Sequence, residues 1–147
     1  MSEGVLVVRP LEIEEVEVAA ERLPLNRLAQ PGGEYLVAWD GSEPVGHAHL
    51  DWRLDPPELQ DVFVREPLRR RGIGSALCAA AERHVAKRGG RRIGLEVSEE
   101  DPAARALYEK LGYHQTDDPP RRVRGTIELR CGPIDVDETL VRFDKPL

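Results

Sequence analysis

One segment, DVFVREPLRRRGIGSAL at residues 61–77, constrains the fold more than any other part of the chain. Its valine-rich beginning predicts a strand, and its end begins a helix whose apolar residues recur at helical spacing. Gly72 and Gly74 stand at the start of that helix, where backbone N–H groups have no partners within the helix. A strand that leads through an arginine- and glycine-containing loop into a helix start predicts a binding site for pyrophosphate.

Hydrophobic periodicity and turn residues predict the elements around this segment. Strands are predicted at 4–9, 34–39, 44–52, 58–64 and 92–97, and shorter ones near 113–116, 126–130 and 139–143. Helices are predicted at 11–23 and 72–88, and a third begins with Asp101 as N-cap and Pro102 at its first position. This order predicts an α/β fold, an α+β mixed sheet, in a single domain over residues 1–147. Residues 117–124 are predicted to be a mobile loop.

The glycines of the central segment do not fit two common phosphate motifs. No Lys-Ser or Lys-Thr pair follows them, as a Walker A loop requires, and the GxGxxG of dinucleotide-binding domains is absent. Arg69-x-x-Gly72-x-Gly74 instead resembles the pyrophosphate loop of the GNAT superfamily of N-acetyltransferases. DPAARALYEKLGY at residues 101–113 is similar to that family's Asn-x-x-Ala-x-x-Leu-Tyr-x-Lys-x-Gly-Phe helix. The resemblance covers residues 58–113 well, the N-terminal part only by the order of its elements, and the C-terminal part weakly.

This resemblance implies a GNAT-like acyl-CoA N-acyltransferase fold, in which the fourth and fifth strands splay apart and acetyl-CoA lies between them. It implies that the backbone of the fourth strand pairs with the pantetheine and holds the acetyl carbonyl, at Val62, Phe63 and Val64. Arg69 would begin the pyrophosphate motif. The backbone after it would hold the pyrophosphate, at Arg70, Arg71, Gly72, Ile73, Gly74 and Ser75.

The resemblance also implies direct transfer of an acetyl group to a primary amine of a small molecule or peptide. Tyr108 matches the family's tyrosine near the coenzyme sulfur, which implies a general acid; the alternative is a core aromatic residue on an apolar helix stripe. Glu58 is the first candidate for the base, because relatives often carry a carboxylate on this strand. The alternatives are a solvated glutamate at the strand end, Asp61 or Glu96 in reserve, or ordered water alone.

Alternation along the fourth strand predicts Glu58, Gln60, Val62 and Val64 on one face, with Asp61 on the other. In the third strand His47, His49 and Asp51 alternate as well, which places them on a shared face. That spacing fits either a metal site or the acceptor side of a cleft, but a polar sheet face is the simpler interpretation.

Composition limits the classes of partner that the chain is expected to bind. The formal net charge of −6 argues against a nucleic-acid binder, whereas local arginine clusters such as residues 69–71 suit a small anionic ligand. Cys78 and Cys131 stand in no zinc-binding spacing, so no metal is expected; reduced thiols are expected, and a disulfide stays open. The N-terminus lacks the features of a signal peptide, and no apolar stretch approaches the roughly 18 residues of a membrane span. A cytoplasmic location without membrane binding is expected.

Two other interpretations stay open. The same fold could hold acyl-CoA without turnover, as a sensor or adaptor, and the arginine clusters could serve an RNA- or protein-binding adaptor. Homodimers are common in the family and are an expectation here. Carboxylates at Asp51, Glu58 and Asp61 favour a cationic acceptor as a hypothesis.

Overall fold

A computed structural model describes residues 5–147 of the chain. The strands are β1 (Leu6–Pro10), β2 (Gly33–Asp40), β3 (Glu43–Asp51), β4 (Glu58–Val64), β5 (Arg92–Ser98), β6 (His114–Gln115), β7 (Arg121–Leu129) and β8 (Gly132–Pro146). The α-helices are α1 (Val16–Arg22), α2 (Ile73–Lys87) and α3 (Pro102–Lys110), and short 3₁₀ turns cover Ile13–Glu15 and Glu66–Leu68. Gly4, at the start of the first predicted strand, lies outside the described residues.

All eight strands of the described residues belong to one sheet, in the order β1-β2-β3-β4-β5-β8-β6, with β7 pairing along β8. Every pairing is antiparallel except that between β4 and β5, which is parallel. The connection between these two parallel strands runs through α2, as the predicted strand–helix–strand order requires. The predicted mixed α/β sheet is therefore confirmed.

Helices cover both faces of this sheet. The stripe predicted for α2 is buried, with Leu77, Ala81 and Val85 at 0% exposure in the larger core beneath α2 and α3. A smaller cluster on the other face joins α1 to β2 through Ala19, Val37 and other apolar side chains. Within residues 5–147, no helix is both long and apolar enough to cross a membrane.

Two predictions of local structure differ from the fold. The first predicted helix begins only at Val16, because Glu12 and Glu15 form a capping box around a 3₁₀ turn instead. The predicted mobile loop at 117–124 is wrong for its second half, since Arg121 begins β7. β7 is largely exposed and polar, so its sequence resembles that of a loop. What makes it a strand is nine-residue pairing with β8, from Arg121–Leu140 to Leu129–Gly132.

The two cysteines stand far apart in this fold. Cys78 is buried in α2, whereas Cys131 is exposed in the turn between β7 and β8, and both are free thiols. Burial raises the pKa of the Cys78 thiol to about 12, which keeps it protonated and unreactive. The disulfide that the sequence left open is therefore absent between these two described residues.

Candidate functional site

A cleft opens between β4 and β5. Their register holds only one residue pair, Glu58 with Gly94, and the Gly94 N–H donates to Pro57 O at 2.9 Å. Beyond Glu58 the two described strands share no further pair, so the edge of β4 that faces β5 is left without strand partners. The splayed fourth and fifth strands that the resemblance implied are confirmed.

A bulge interrupts β4 at Asp61. His49 lies opposite Gln60 and His47 opposite Phe63, so two residues of β4, Asp61 and Val62, face Ala48 alone. Asp61 adopts a left-handed backbone with φ +51°, which is uncommon for a residue other than glycine. The extra residue shifts the alternation of the strand from this point onward.

The bulge overturns the predicted faces of β4. Val62 and Val64 pack against the core under α2, whereas Phe63 packs in the cluster on the opposite face. Glu58 and Gln60 face the open side of the cleft together with Asp61. The prediction that Val62 and Val64 share a face with Glu58 is wrong, because strict alternation holds only for a strand without a bulge.

The loop before α2 ends in left-handed backbone. Gly72 is the N-cap of α2 with φ +82°, and Arg70 is also left-handed with φ +66°. α2 has no side-chain cap, and its first turn contains no acidic residue. The N–H groups of that turn and the positive end of the helix dipole therefore remain available to an external anion.

Conformation, not crowding, requires glycine at position 72, because a Cβ there would meet no atom within 4 Å. A Cβ at Gly74 would meet only Val64 Cγ2, at an ordinary 3.9 Å. Arg69 turns back toward β4, where its Nε donates to Val64 O at 2.9 Å and its guanidinium lies 5.6 Å from the centre of the Phe63 ring. Arg69 thus ties the loop to the end of the strand.

Tyr108 lies on α3 and packs against the larger core. Its ring meets that of Tyr113 edge-on at 5.8 Å. Burial raises the pKa of Tyr108 to about 12, so its phenol holds the proton at neutral pH. The helix is started as the sequence predicts, since Asp101 Oδ1 accepts from the Ala104 N–H at 3.0 Å.

Glu58 is buried and paired rather than solvated. Its side chain is 7% exposed, and Oε2 accepts from Arg142 Nη1 at 2.7 Å. Oε1 accepts from Gln60 Nε2 at 2.9 Å. The alternative of a solvated glutamate at the strand end is therefore wrong, and whether Glu58 acts as a base stays a prediction.

His47, His49 and Asp51 share a face, and all three are buried. Each binds protein groups: His47 contacts Leu25 and Asp61, His49 contacts Gln60, and Asp51 accepts from Arg53. Burial lowers the pKa of both imidazoles, which keeps them neutral. In the part of the chain that the structure describes, no three His, Cys, Asp or Glu side chains form a group that could hold a metal ion.

Sequence analysis missed Tyr35, which joins this face from β2. Its hydroxyl donates to Asp61 Oδ2 and accepts from the Arg27 N–H at 2.8 Å. Burial and the neighbouring Asp61 carboxylate raise the pKa of Tyr35, so the phenol stays neutral. A signal for it existed in the predicted β2–β3 hairpin, where Tyr35 lies opposite His49.

A cavity of about 520 Å³ lies beside Asp61 on this side of the cleft. Its other walls are the α1–β2 connection between Asn26 and Gln30 and the two strands of the β7–β8 hairpin. The charged side chains that line it are Arg27, Asp61, Glu128 and Glu138. The cavity thus has an excess of acidic groups and opens next to the bulge of β4.

Arg130, at the hairpin tip, holds two of these walls together. Its guanidinium donates to three main-chain oxygens at the end of α1 and just after it: Ala20 at 3.0 Å, Leu23 at 2.7 Å and Pro24 at 2.6 Å. The Cys131 N–H adds a hydrogen bond to Asn26 Oδ1 at 3.2 Å. The hairpin is therefore attached to the α1–β2 connection across the cavity.

Comparison with known proteins agrees with this architecture. The sequence profile of the acetyltransferase (GNAT) family matches residues 7–113. A mycothiol acetyltransferase of Corynebacterium efficiens is 37% identical over 83 residues, which are 54% of this chain and 27% of that protein. The chain thus spans only about a quarter of the length of this curated relative.

Solved structures share the fold over nearly the whole chain. The ribosomal-protein-S18-alanine N-acetyltransferase of Escherichia coli superposes with a TM-score of 0.74 at 22% identity, covering 97% of this chain and 94% of that one. An acetyltransferase of the same family from Elizabethkingia anophelis, with acetyl-CoA bound, gives a TM-score of 0.66 at 15% identity, covering 97% and 98%. At these identities the likeness shows the fold alone.

Proposed function

Because the chain belongs to the acetyltransferase (GNAT) family, we propose that it transfers an acetyl group from acetyl-CoA to a primary amine. One observation carries the proposal: the uncapped start of α2 lies at the end of the strand whose free edge forms the cleft. The helix start suits a pyrophosphate, and the open strand edge beside it suits an amide-containing arm of the same ligand. Acetyl-CoA combines both.

The donor would lie along β4. The pantetheine amides would pair with the backbone of Val62, Phe63 and Val64, on the edge that β5 leaves free beyond Glu58. The pyrophosphate would lie on the backbone of residues 70–75, and the side chains of Arg70 and Arg71, which are exposed, would add positive charge. Gly72 supports this placement, since its left-handed backbone turns the chain into α2 without a side chain at the helix start.

Transfer requires that the amine attack the acetyl carbonyl and that the coenzyme leave as a thiol. Negative charge that develops on the carbonyl oxygen would be stabilised by N–H groups of β4 near the bulge. We propose Tyr108 as the general acid for the departing thiolate, because its buried phenol retains its proton at neutral pH. Glu58 stays the proposed base. Since both of its oxygens already accept hydrogen bonds, it would take the proton through water.

The acceptor would enter from the side of the 520 Å³ cavity, opposite the core beneath α2. A primary amine of a small molecule or of a peptide would reach the acetyl group there, next to the bulge of β4. A homodimer, a cytoplasmic location and the absence of nucleic-acid binding stay predictions.

Calorimetric titration with acetyl-CoA, CoA and ATP tests the donor site first. We expect both forms of the coenzyme to bind and ATP to bind far more weakly, because ATP lacks the pantetheine arm. Equal binding of ATP, or no binding of acetyl-CoA, would contradict the proposal. A panel of primary amines then separates an enzyme from the alternative, a non-catalytic acyl-CoA-binding sensor or adaptor, which would bind the coenzyme without turnover.

A further inference from the structure

Asp61 is the carboxylate at which the bulge of β4 meets the acceptor cavity. It lines the cavity between the α1–β2 connection and the β7–β8 hairpin. It also lines the adjoining cavity of about 390 Å³, which contains Glu58 and Gln60. Its left-handed backbone is uncommon for a residue other than glycine, although aspartate tolerates it better than most, and surrounding contacts hold it here.

Two buried rings supply those contacts. The Tyr35 hydroxyl, on a side chain from a residue only 5% exposed, donates to the Asp61 carboxylate at Oδ2. His47 is fully buried and donates from Nδ1 to the main-chain oxygen of Asp61 at 2.8 Å. One ring therefore holds the side chain of Asp61, and the other holds its backbone.

The same two rings bind the α1–β2 connection through their remaining polar atoms. The Leu25 N–H donates to His47 Nε2 at 3.2 Å, and the Arg27 N–H donates to the Tyr35 hydroxyl oxygen at 2.8 Å. Each ring thus bridges a backbone N–H of the α1–β2 connection to Asp61. Since His47 Nε2 accepts while Nδ1 donates, the imidazole is in its neutral form.

The charge of Asp61 differs from that of the neighbouring carboxylates. Glu58 is paired with Arg142, Asp51 with Arg53, and Glu96 with Arg121. Both side chains that hold Asp61 are neutral, because one is a phenol and the other a buried imidazole. Of these four carboxylates within residues 5–147, Asp61 is thus the one whose charge no arginine or lysine neutralises. Glu128 and Glu138 also line the cavity without an ion pair among the described residues, but they lie on the β7–β8 hairpin, whereas Asp61 lies on the strand that borders the cleft.

We propose that Asp61 binds the amine of the acceptor in its ammonium form, and that Tyr35 and His47 are positioning residues that set this carboxylate against the cavity wall. The assignment rests on the proposed acetyl transfer and deepens it, since it names the group that recognises the acceptor. It replaces three acidic residues of the sequence hypothesis with one, because Asp51 and Glu58 are already neutralised.

The test compares the binding of an amine to Asp61→Asn with that of its hydroxyl analogue, which lacks the ammonium charge. The probe is whichever of 2-phenylethylamine, 1,4-diaminobutane and glycylglycine binds the CoA-loaded protein most tightly by calorimetry, together with the alcohol that carries hydroxyl in place of every amine. We expect the amine to bind about 30-fold more weakly to the variant, which is about 2 kcal/mol. Binding of the alcohol and of acetyl-CoA should change by less than about twofold.

A distorted cavity would weaken the binding of the amine and of the alcohol alike, and that outcome would overturn the proposal. An unchanged affinity for the amine would overturn it too. Failure of every amine to bind the CoA-loaded wild-type protein would overturn it as well. Failure of acetyl-CoA itself to bind would instead contradict the proposed function on which it rests. Asp40→Asn, at the end of β2 and outside the cavity, is the matched control and should bind both probes as the wild type does.

Tyr35→Phe tests the positioning role separately. It removes the hydroxyl that joins the Arg27 N–H to the Asp61 carboxylate and keeps the buried ring. We expect amine affinity to fall about fivefold to tenfold while acetyl-CoA affinity is retained, since the loss concerns only the carboxylate's position. A purely structural tyrosine would lower the thermal midpoint and leave the ratio of amine to alcohol affinity unchanged, which would contradict the role.

Discussion

The proposed donor side and the proposed acceptor side of the cleft are built from different parts of the chain. The donor side, from Val62 to Ser75, is one continuous segment, and the contacts proposed for it are mainly those of its backbone. The acceptor side combines the α1–β2 connection, β3, the bulge of β4 and the β7–β8 hairpin, and Arg130 reaches Ala20 across 110 positions. A substitution on the donor side therefore acts through backbone conformation and local charge, whereas one on the acceptor side acts by breaking side-chain bonds between distant segments.

The largest effect is expected for Gly72→Glu, which should weaken coenzyme binding on the donor side and leave the acceptor side unchanged. A carboxylate at the start of α2 would oppose the pyrophosphate by like charge, and the φ of +82° disfavours any side chain. We expect acetyl-CoA affinity to fall by at least about 100-fold, or about 2.7 kcal/mol, by calorimetry.

Gly41→Glu is the matched control for that change. Gly41 is also left-handed, with φ +61°, and a Cβ there would also meet nothing within 4 Å, but it lies in the β2–β3 turn. The free energy of unfolding should fall by a similar amount in both variants, but the affinity for acetyl-CoA should fall only in Gly72→Glu. Normal coenzyme binding by Gly72→Glu would mean that the pyrophosphate lies elsewhere.

Tyr108→Phe should separate chemistry from binding on the donor side. We expect kcat to fall by about 100-fold, as for loss of a general acid, with acetyl-CoA affinity unchanged. Since burial raises the pKa of Tyr108 to about 12, the acid form persists below that pH. The kcat profile should therefore show no loss from this group up to about pH 10.

Tyr113→Phe is the control for Tyr108. The Tyr113 hydroxyl donates to Glu82 Oε2 at 3.0 Å, so its loss should lower the free energy of unfolding by about 1 kcal/mol and spare kcat. Equal kcat values for Tyr108→Phe and the wild type would remove Tyr108 from the mechanism and leave it a core aromatic.

Arg142→Ala should destabilise the acceptor side. It leaves the buried Glu58 carboxylate without its cation, and we expect a loss on the order of 3 kcal/mol in urea unfolding. Adding Glu58→Gln should recover a large part of that loss, because it removes the buried charge that has lost its partner.

Arg92→Ala is the control. It breaks the ion pair with Asp144, in which the Arg92 side chain is about half exposed, and should cost less than about 1 kcal/mol. Similar losses of stability for the two arginine variants would contradict the expected difference between a buried and an exposed ion pair.

Arg130→Ala should loosen the acceptor cavity without touching the donor side. Three hydrogen bonds to α1 and the residues after it are lost, so the hairpin no longer fixes that wall. We expect KM for the amine to rise about tenfold while acetyl-CoA affinity is kept. Arg124→Ala, on the same hairpin with a side chain 73% exposed, should change neither quantity.

The smallest effect is expected for Gly74→Ala. The added methyl group meets Val64 Cγ2 at an ordinary distance, so acetyl-CoA affinity should change by less than about twofold. Alanine favours the helix, which should raise the free energy of unfolding by up to about 1 kcal/mol. A strong loss of coenzyme binding would show that the ligand approaches the backbone at Gly74 as closely as at Gly72.

Most of the fold was predictable because its signals are local. Apolar periodicity marks α2, Asp101 and Pro102 mark the start of α3, and the Asp40-Gly41 turn marks the β2–β3 hairpin. β7 was only partly predicted, since nothing in its polar sequence shows that β8 will pair with it. The β4 faces were mispredicted for the same reason, because a bulge is a property of two paired strands.

The amino-acid sequence was enough to predict the family and to propose the donor loop, since a pyrophosphate site made of backbone needs only glycines at the right spacing before a helix. The neutralisation of individual carboxylates, by contrast, could be seen only in the folded protein. Arg142 reaches Glu58 from β8, and Tyr35 reaches Asp61 from β2. Charge pairing and burial depend on side chains that the fold brings into contact, and the spacing of residues along the chain does not predict those contacts.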